Sequence, residues 1–327
     1  MAVDWSAFVE LVQRHQRFLL TTHVRPDGDA LGSCLALLDA LDWLGKQGQA
    51  VVASNIPPRY DFLNCQRRVS TLDPANPSLR EAEVVIVLDT GTWGQLGEFG
   101  PLLRSLEVPK VVIDHHATQD DLGALQCVDT SAEATGRLVY QARQALGVPL
   151  SPPAAHALFV ALAMDTGWFR HSNVRPDTFV MAADLTQAGA NPSAIYAALF
   201  ENNSLPRLHL MGRVLQRIEL LAGGRLAYSS VYQSDYAETK ARPAETEDMI
   251  GHPQSIGGVE LTVLFMEQAD PSVKVSFRSR RADVAVLAEK FGGGGHALAS
   301  GATVSGTMDE VKEQVLAAAL QTLAELG

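Results

Sequence analysis

The segment TTHVRPDGDALGS places His23, Asp27 and Asp29 within seven residues, just before an apolar helical pattern begins. Asp-Gly is an ordinary turn dipeptide, but a turn does not require a histidine and a second aspartate beside it. Carboxylates and imidazoles are groups that divalent metals such as Mn²⁺ or Mg²⁺ accept in proteins. The spacing therefore suggests a metal-binding loop that other segments must complete.

Three further segments carry acids or histidines at the point where an apolar run ends. Asp89 follows VVIVL, Asp114, His115 and His116 end KVVIDHH, and Asp165 ends ALFVALAMD. One acid in such a place is usually a turn residue or a helix cap, but that explanation does not cover the repetition. Because strand ends distant in sequence meet at one edge of an open α/β sheet, we expect these groups to converge.

The types of these groups indicate their chemistry. Carboxylates and imidazoles without a thiolate suit Mn²⁺ or Mg²⁺ better than a structural zinc. Their number exceeds what one ion can bind and suits two ions bridged by a carboxylate. Such pairs lie about 3.5–4 Å apart and hold a hydroxide in line with a phosphorus atom. Hydrolysis of a phosphate ester is the expected reaction.

Strand and helix patterns alternate in the first half of the chain. Apolar runs predict strands at 18–22, 49–55, 82–91 and 109–116. DALGSCLALLDALDWLG, AEATGRLVYQARQALG and PAAHALFVALAMD predict helices. This alternation is typical of an α/β domain with a doubly wound parallel sheet covered on both faces.

The pattern changes after about residue 186. NPSAIYAALFE and SLPRLHLMGRVLQRIELL predict consecutive helices, and RLAYSSVY, ELTVLFME and VKVSFRS predict strands. A helix broken by glycine, ADVAVLAEKFGGGG, precedes a final amphipathic helix. We therefore predict a doubly wound domain at 1–186, a helical linker at 187–222 and a smaller mixed α/β domain at 223–327.

Composition excludes several classes of protein. The 327 residues favour two domains, and the net charge of −11 argues against binding long duplex nucleic acid. Bound cations would still allow a small anionic substrate. No apolar run is long enough for a membrane span, and the N-terminus lacks a signal-peptide pattern. Cys34, Cys65 and Cys127 form no disulfide framework, so we expect a cytoplasmic protein with reduced thiols.

The second domain carries a glycine run and a basic strand. FGGGGH lacks the Lys-Ser/Thr of a P-loop, but its backbone amides could cradle a phosphate or a sugar. Strand alternation would place Arg278 and Arg280 on one face, with Lys274 and Arg281 nearby. From the residues alone, a solvated edge and an anion-binding site are equally open.

Six motifs carry a family resemblance over nearly the whole chain. HVRPDGDALGS, VLDTG, IDHH and ALAMDTGWF resemble the motifs of the DHH phosphoesterase superfamily. VKVSFRSR and GGGGHALASGA resemble the DHHA1 substrate-binding domain. Together they resemble the NrnA-type family of bacterial nanoRNases and 3′-phosphoadenosine-5′-phosphate (pAp) phosphatases.

The resemblance implies two Mn²⁺ ions per site, with Mg²⁺ or Co²⁺ as possible substitutes. The implied ligands are His23 and Asp27 for one ion, Asp29, His115 and Asp165 for the other, and Asp89 as the bridge.

Asp114 would orient a neighbouring histidine, and His116 would contact the scissile phosphate or the leaving group. His171 stands where family members more often have an aromatic ring, so the resemblance assigns it no role. The implied substrate-binding residues are Arg278, Ser279, Gly293, Gly294, Gly295 and His296.

The implied enzyme degrades very short single-stranded RNA or dinucleotides to mononucleotides and dephosphorylates pAp to AMP. Three alternatives stay open: a phosphodiesterase for cyclic or linear dinucleotides, a single-strand DNA exonuclease, and a non-catalytic nucleotide-binding regulator. The intact ligand motifs argue against the regulator, and the exonucleases usually carry a further nucleic-acid-binding domain. No membrane partner is expected, and a homodimer is a possible assembly.

Overall fold

The computed structural model describes residues 3–326, except for the side chain of His296. The chain divides into two compact units, with the boundary between Asn202 and Asn203. The two helices predicted as a linker therefore fall one in each unit, and the domain boundaries at 186 and 222 stay predictions.

The first unit is built on a six-stranded parallel sheet. Its strands are β1 (Arg17–Thr21), β2 (Gln47–Val52), β3 (Val69–Thr71), β4 (Val84–Leu88), β5 (Lys110–Asp114) and β6 (Leu125–Val128). Their order across the sheet is β3-β2-β1-β4-β5-β6. The strand order therefore reverses between β1 and β4, the kind of switch point at which open α/β sheets form a crevice.

Helices cover both faces of this sheet, as predicted for a doubly wound fold. The helices are α1 (Ser6–Arg14), α2 (Gly28–Trp43), α3 (Phe99–Ser105), α4 (Thr135–Ala145), α5 (Pro152–Asp165), α6 (Pro176–Gln187) and α7 (Pro192–Phe200). Short 3-10 helices lie at Pro58–Tyr60, Pro77–Glu81 and Trp93–Leu96. Leu20 and Ile86 pack on the face covered by α2, α4 and α5, whereas Leu19 and Val85 pack on the face covered by α3.

Two glycines allow the helices on the first face to approach each other closely. A Cβ atom at Gly32 of α2 would lie 2.3 Å from the carbonyl oxygen of Ala157 in α5. A Cβ atom at Gly136 of α4 would lie 2.6 Å from the Cβ of Ala161. These contacts hold the N-termini of α2 and α4 beside α5.

The second unit contains a six-stranded sheet of mixed strand direction with helices, which agrees with the predicted mixed α/β domain. Its strands are β7 (Glu219–Leu221), β8 (Leu226–Val231), β9 (Leu261–Glu267), β10 (Ser272–Ser279), β11 (Gly294–His296) and β12 (Ala299–Ser305). Their order is β11-β12-β10-β9-β8-β7, with β8 and β9 parallel and the other neighbours antiparallel.

The helices of this unit are α8 (Leu205–Gln216), α9 (Gln233–Thr239), α10 (Gly251–Gln254), α11 (Val284–Glu289) and α12 (Met308–Glu325). Short 3-10 helices lie at Ala222–Gly224 and Pro243–Thr246. The predicted final amphipathic helix is α12, which buries side chains at four-residue intervals from Val311 to Leu323. Within residues 3–326, no helix is long and apolar enough to span a bilayer.

One helix was predicted to extend too far toward the C-terminus. The segment SLPRLHLMGRVLQRIELL was expected to be helical throughout, but α8 ends at Gln216 and Glu219–Leu221 forms strand β7. Glu219 pairs with Tyr228 of β8 in an antiparallel register. The backbone hydrogen bonds of this pairing override the local apolar pattern, which fits a helix or a strand equally well.

We predict that Gly32→Ala lowers the free energy of unfolding by about 1–3 kcal/mol, because the added methyl group would overpack the contact between α2 and α5. Gly94→Ala is the control, since nothing lies within 4 Å of a Cβ atom built at Gly94. Urea unfolding followed by circular dichroism gives both values. An equal effect of the two substitutions would contradict the close approach of α2 and α5.

Candidate metal centre

The predicted metal ligands meet at the carboxyl edge of the parallel sheet, beside the switch point. They come from the segments after β1, β4 and β5, from the start of α2 and from the end of α5. Three overlapping groups have their ligand atoms within 4.8 Å of one another. These groups are His23–Asp27–Asp89, Asp29–His115–Asp165 and Asp89–His115–His116. Asp89 and His115 each belong to two groups, so the cluster is continuous.

His115 presents one ring nitrogen to the carboxylates. Its Nε2 lies 3.4 Å from Asp165 Oδ2, 3.7 Å from Asp89 Oδ1 and 4.0 Å from Asp29 Oδ2. Its Nδ1 lies 3.2 Å from the carbonyl oxygen of Ala132, which holds the proton on that nitrogen. Nε2 is buried and has no hydrogen-bond partner among the described residues. A buried imidazole nitrogen that faces three carboxylates and lacks a hydrogen-bond partner among the described residues suits a bound cation.

His23 is arranged in the same way. Its Nδ1 lies 2.9 Å from the carbonyl oxygen of Val24, and its Nε2 lies 3.5 Å from Asp89 Oδ2 and 4.0 Å from Asp27 Oδ1. Asp27 is the N-cap of α2, where its Oδ1 accepts hydrogen bonds from the backbone N–H groups of Asp29 and Ala30. The loop that carries the predicted ligands therefore also caps the N-terminus of α2.

Asp89 has an unusual backbone conformation. Its φ of 61° lies in the left-handed region, which costs a non-glycine residue about 1–2 kcal/mol. Its N–H donates to the carbonyl of Ile113 at 3.0 Å, and its side chain is buried at 3% exposure. Strain of this kind at a buried carboxylate is typical of functional sites, where the surroundings hold the side chain in place.

Asp29 is held by the start of α4. Its Oδ2 accepts from the N–H of Thr135 at 2.6 Å, and its Oδ1 accepts from the N–H of Gly136 at 2.8 Å and from the Ser33 hydroxyl at 3.2 Å. No sequence motif marks Thr135 or Gly136 as partners of Asp29. Ala134, the N-cap of α4, makes no side-chain cap bond. A helix without a capping side chain needs hydrogen-bond acceptors from elsewhere in the protein for its first N–H groups. The sequence does not show which residue supplies them.

Three carboxylates of the cluster, those of Asp29, Asp89 and Asp165, resist ionisation in the absence of a cation. Burial, followed by the charges of Asp89, Asp165 and Asp27, raises the pKa of Asp29 well above its usual value. Burial, with the charge of Asp27 next, also raises the pKa of Asp89, and burial raises the pKa of Asp165. A divalent cation offsets both the loss of hydration and the repulsion. The residues present thus fit a divalent metal.

A second network sets the charge of His116. The fully buried Asp114 carboxylate accepts from His116 Nδ1 at 2.7 Å, from the His115 N–H at 2.8 Å and from Gln119 Nε2 at 2.5 Å. Burial opposes ionisation of Asp114, but the hydrogen bonds from His116 and Gln119 lower its pKa. The Asp114 hydrogen bond raises the pKa of His116 to about 9, so this half-exposed ring is protonated at neutral pH. No sequence motif marks Gln119 as a partner of Asp114.

The predicted substrate-binding residues lie in the second unit, and their binding roles stay predictions. Arg278, on β10, donates from Nη1 to the carbonyl of Phe277 at 3.2 Å, and no carboxylate among the described residues pairs with it. The buried Ser279 hydroxyl accepts from the N–H groups of Arg281 and Ala282. β10 ends at Ser279, so strand alternation does not extend to Arg280.

The glycine run is partly structural. A Cβ atom at Gly293 would lie 2.1 Å from the carbonyl oxygen of Gly301, and one at Gly295 would lie 2.7 Å from that of Ala299. Both glycines are therefore required by the close contact with β12. Gly294 has open space around its Cβ position. His296 lies in β11, but its side chain is outside the described part of the structure.

Two regions of the chain match known family models. Residues 17–164 match the N-terminal domain of the DHH family, and residues 223–325 match the DHHA1 domain. The bifunctional oligoribonuclease and PAP phosphatase NrnA of Thermus thermophilus is 34% identical, over 94% of this chain and 90% of that protein. The protein of the same name from Bacillus subtilis is 30% identical, over 91% of this chain and 93% of that protein.

A crystal structure shares the fold over almost the whole length. An exopolyphosphatase-related protein from Bacteroides fragilis superposes with a TM-score of 0.89 at 25% sequence identity. The superposition covers 98% of this chain and 95% of that one.

We predict that the metal-free chain loses stability as the pH rises above about 4. The raised carboxylate pKa values mean that the folded state binds more protons than the unfolded state, so the contribution of the cluster is fully present below about pH 4 and declines above it. Mn²⁺ at 100 times its dissociation constant should add about 2.7 kcal/mol. At a fixed Mn²⁺ concentration the gain should be larger at the higher pH, because protons compete less for the ligands and the dissociation constant falls. Thermal unfolding after chelation and dialysis measures both effects.

Asp89→Asn should reduce both the pH dependence and the gain from Mn²⁺. Asp73→Asn is the matched control, because Asp73 is an exposed aspartate outside the cluster. Identical profiles for the two variants would show that the cluster does not bind the metal.

Proposed function

Because the chain belongs to the DHH family, we propose that it is a divalent-metal phosphohydrolase that degrades very short oligoribonucleotides to mononucleotides and converts pAp to AMP. The names of the Thermus thermophilus and Bacillus subtilis relatives support both activities, since each relative matches at least 90% of this chain. The observation that carries the proposal is the cluster in which the unpartnered His115 Nε2 faces the carboxylates of Asp29, Asp89 and Asp165.

We propose that the cluster holds two Mn²⁺ ions. The groups His23–Asp27–Asp89 and Asp29–His115–Asp165 would each hold one ion, and Asp89 would bridge them. Oxygen and imidazole ligands without a thiolate favour Mn²⁺ or Mg²⁺ over zinc. The gathering of several carboxylates supports two ions, because one divalent cation would leave the buried negative charge only partly neutralised.

The protein's own groups would prepare the phosphate ester for attack. A divalent metal, when bound, supplies Lewis-acid chemistry to the phosphoryl group and to water. His116, kept protonated by Asp114, would donate a hydrogen bond to a phosphate oxygen or a proton to the leaving oxygen. Asp29 and Asp89 would keep their orientation through the hydrogen bonds from Thr135.

We assign the recognition of a terminal phosphate to Arg278. The absence of a carboxylate partner among the described residues supports this role, since an unpaired guanidinium binds phosphate well. Gly294, with open space beside its Cα, would offer its backbone to the same ligand. Other roles in substrate binding stay predictions, namely those of Ser279, Gly293, Gly295 and His296. The cytoplasmic location and the homodimer also stay predictions.

We predict that kcat/KM falls as the RNA becomes longer. The net charge of −11 leaves no excess of basic groups to hold a trailing strand. The test compares 5′-phosphorylated RNA of two, five and 24 nucleotides with pAp, the matching DNA and cyclic di-AMP, all with Mn²⁺. The dimer and pAp should be the best substrates. Equal rates for the dimer and the 24-mer would favour a processive exonuclease, and a preference for cyclic di-AMP would favour a cyclic-dinucleotide phosphodiesterase.

We predict that Arg278→Ala weakens the turnover of 5′-phosphorylated dinucleotides by about 2–3 kcal/mol in kcat/KM, because a charge-assisted hydrogen bond to phosphate is lost. Dinucleotides without the terminal phosphate should lose much less. Lys274→Ala is the control, since it removes a positive charge from the same face of β10, four residues away. Equal losses for the two classes of dinucleotide would rule out the phosphate-binding role.

A further inference from the structure

Thr135 contacts two of the predicted metal ligands through two different donors. Its backbone N–H donates to Asp29 Oδ2 at 2.6 Å, and its hydroxyl donates to Asp89 Oδ1 at 2.9 Å. All three residues are buried, at 0%, 1% and 3% exposure for Thr135, Asp29 and Asp89. One residue at the first position of α4 therefore links carboxylates that come from α2 and from the end of β4.

The backbone N–H of Thr135 lies at the N-terminus of α4, where it needs a hydrogen-bond acceptor from outside the helix. Ala134 supplies no capping side chain, and Asp29 accepts the N–H groups of Thr135 and Gly136 instead. The positive end of the α4 dipole also favours a carboxylate at this place. This contact would exist with almost any residue at position 135, because it uses only the backbone.

The Thr135 hydroxyl, in contrast, determines the orientation of the Asp89 carboxylate. The Asp89 backbone is held in the left-handed region, and its carboxylate would still be free to rotate about χ1 and χ2. Burial leaves it little water with which to bond, so the hydrogen bond from Thr135 selects its orientation. With Oδ1 so held, Asp89 Oδ2 lies 3.5 Å from His23 Nε2, and Oδ1 lies 3.7 Å from His115 Nε2.

We propose that Thr135 is a positioning residue, whose hydroxyl fixes the Asp89 carboxylate relative to Asp29 so that both can share a divalent cation site. The inference rests on the metal centre of the proposed function. Thr135 is not itself a ligand in this account. Its effect is on the affinity for the metal, because removal of a group that orients a metal ligand typically weakens binding by about 10–100-fold.

Substitution of Thr135 by valine distinguishes the effect of the hydroxyl from that of the backbone N–H. Thr135→Val keeps the backbone N–H for Asp29 and the β-branched shape, and it removes only the hydroxyl that bonds Asp89. Thr135→Ser keeps the hydroxyl and loses the methyl group. Thr178→Val is the matched control, since Thr178 is also fully buried near the start of a helix, where its hydroxyl accepts from the N–H of Arg175.

The measurement is calorimetric titration of the chelated full-length chain with Mn²⁺, supported by the shift in melting temperature with Mn²⁺ concentration. We expect the dissociation constant of Thr135→Val to rise by about 10–100-fold, Thr135→Ser to recover most of the affinity, and Thr178→Val to match the wild type. If Thr135→Val does not fold, Thr135→Ala removes the same hydroxyl at a helix position that favours alanine.

An unchanged dissociation constant for Thr135→Val or Thr135→Ala would overturn the inference, as would a loss of affinity in Thr178→Val of the same size. A wild-type chain whose affinity for Mn²⁺ depends on the Thr135 hydroxyl, but which hydrolyses neither short RNA nor pAp, would refute the proposed substrates and leave the positioning role intact. A wild-type chain that binds no divalent metal would overturn both.

Discussion

The structure of the first unit is organised around the repulsion of buried carboxylates. Asp29, Asp89 and Asp165 lie around a single imidazole nitrogen, where burial and mutual charge raise their pKa values. Such a cluster persists in a folded chain only if the surrounding elements over-determine its geometry and its charge is balanced by bound protons or by a cation. The fold provides the geometry, and the proposed metal provides the balance.

Each supporting element acts through a specific contact. The reversal of strand order beside β1 brings His23 and Asp89 to one crevice. Gly32 and Gly136 let α2 and α4 approach α5, so that the amides at the start of α4 reach Asp29. Asp114 accepts a hydrogen bond from the His116 imidazole, and this bond keeps His116 protonated beside the carboxylates. The arrangement places a protonated imidazole next to the clustered carboxylates, which is the combination of groups that the proposed cleavage of a phosphate ester would use.

Sequence patterns predicted the central strands and the gathering of the ligands, because strong apolar runs end in acids at one edge of a parallel sheet. They missed β3 and β6, since short edge strands are only partly buried and lack a continuous apolar run. They extended α8 into β7, where pairing with β8 decides the structure. They also missed Thr135 and Gln119, because a backbone N–H has no residue-type signature and a hydrogen bond between distant segments follows from packing alone.

The central claim is that Asp89 lies between two bound cations. Anomalous diffraction from crystals grown with Mn²⁺, collected on both sides of the manganese absorption edge, tests it directly. We expect two peaks about 3.5–4 Å apart, one beside His23 and Asp27 and the other beside Asp29, His115 and Asp165, with the Asp89 carboxylate between them. A single peak that Asp89 does not contact, or no peak at the cluster at saturating Mn²⁺, would contradict it.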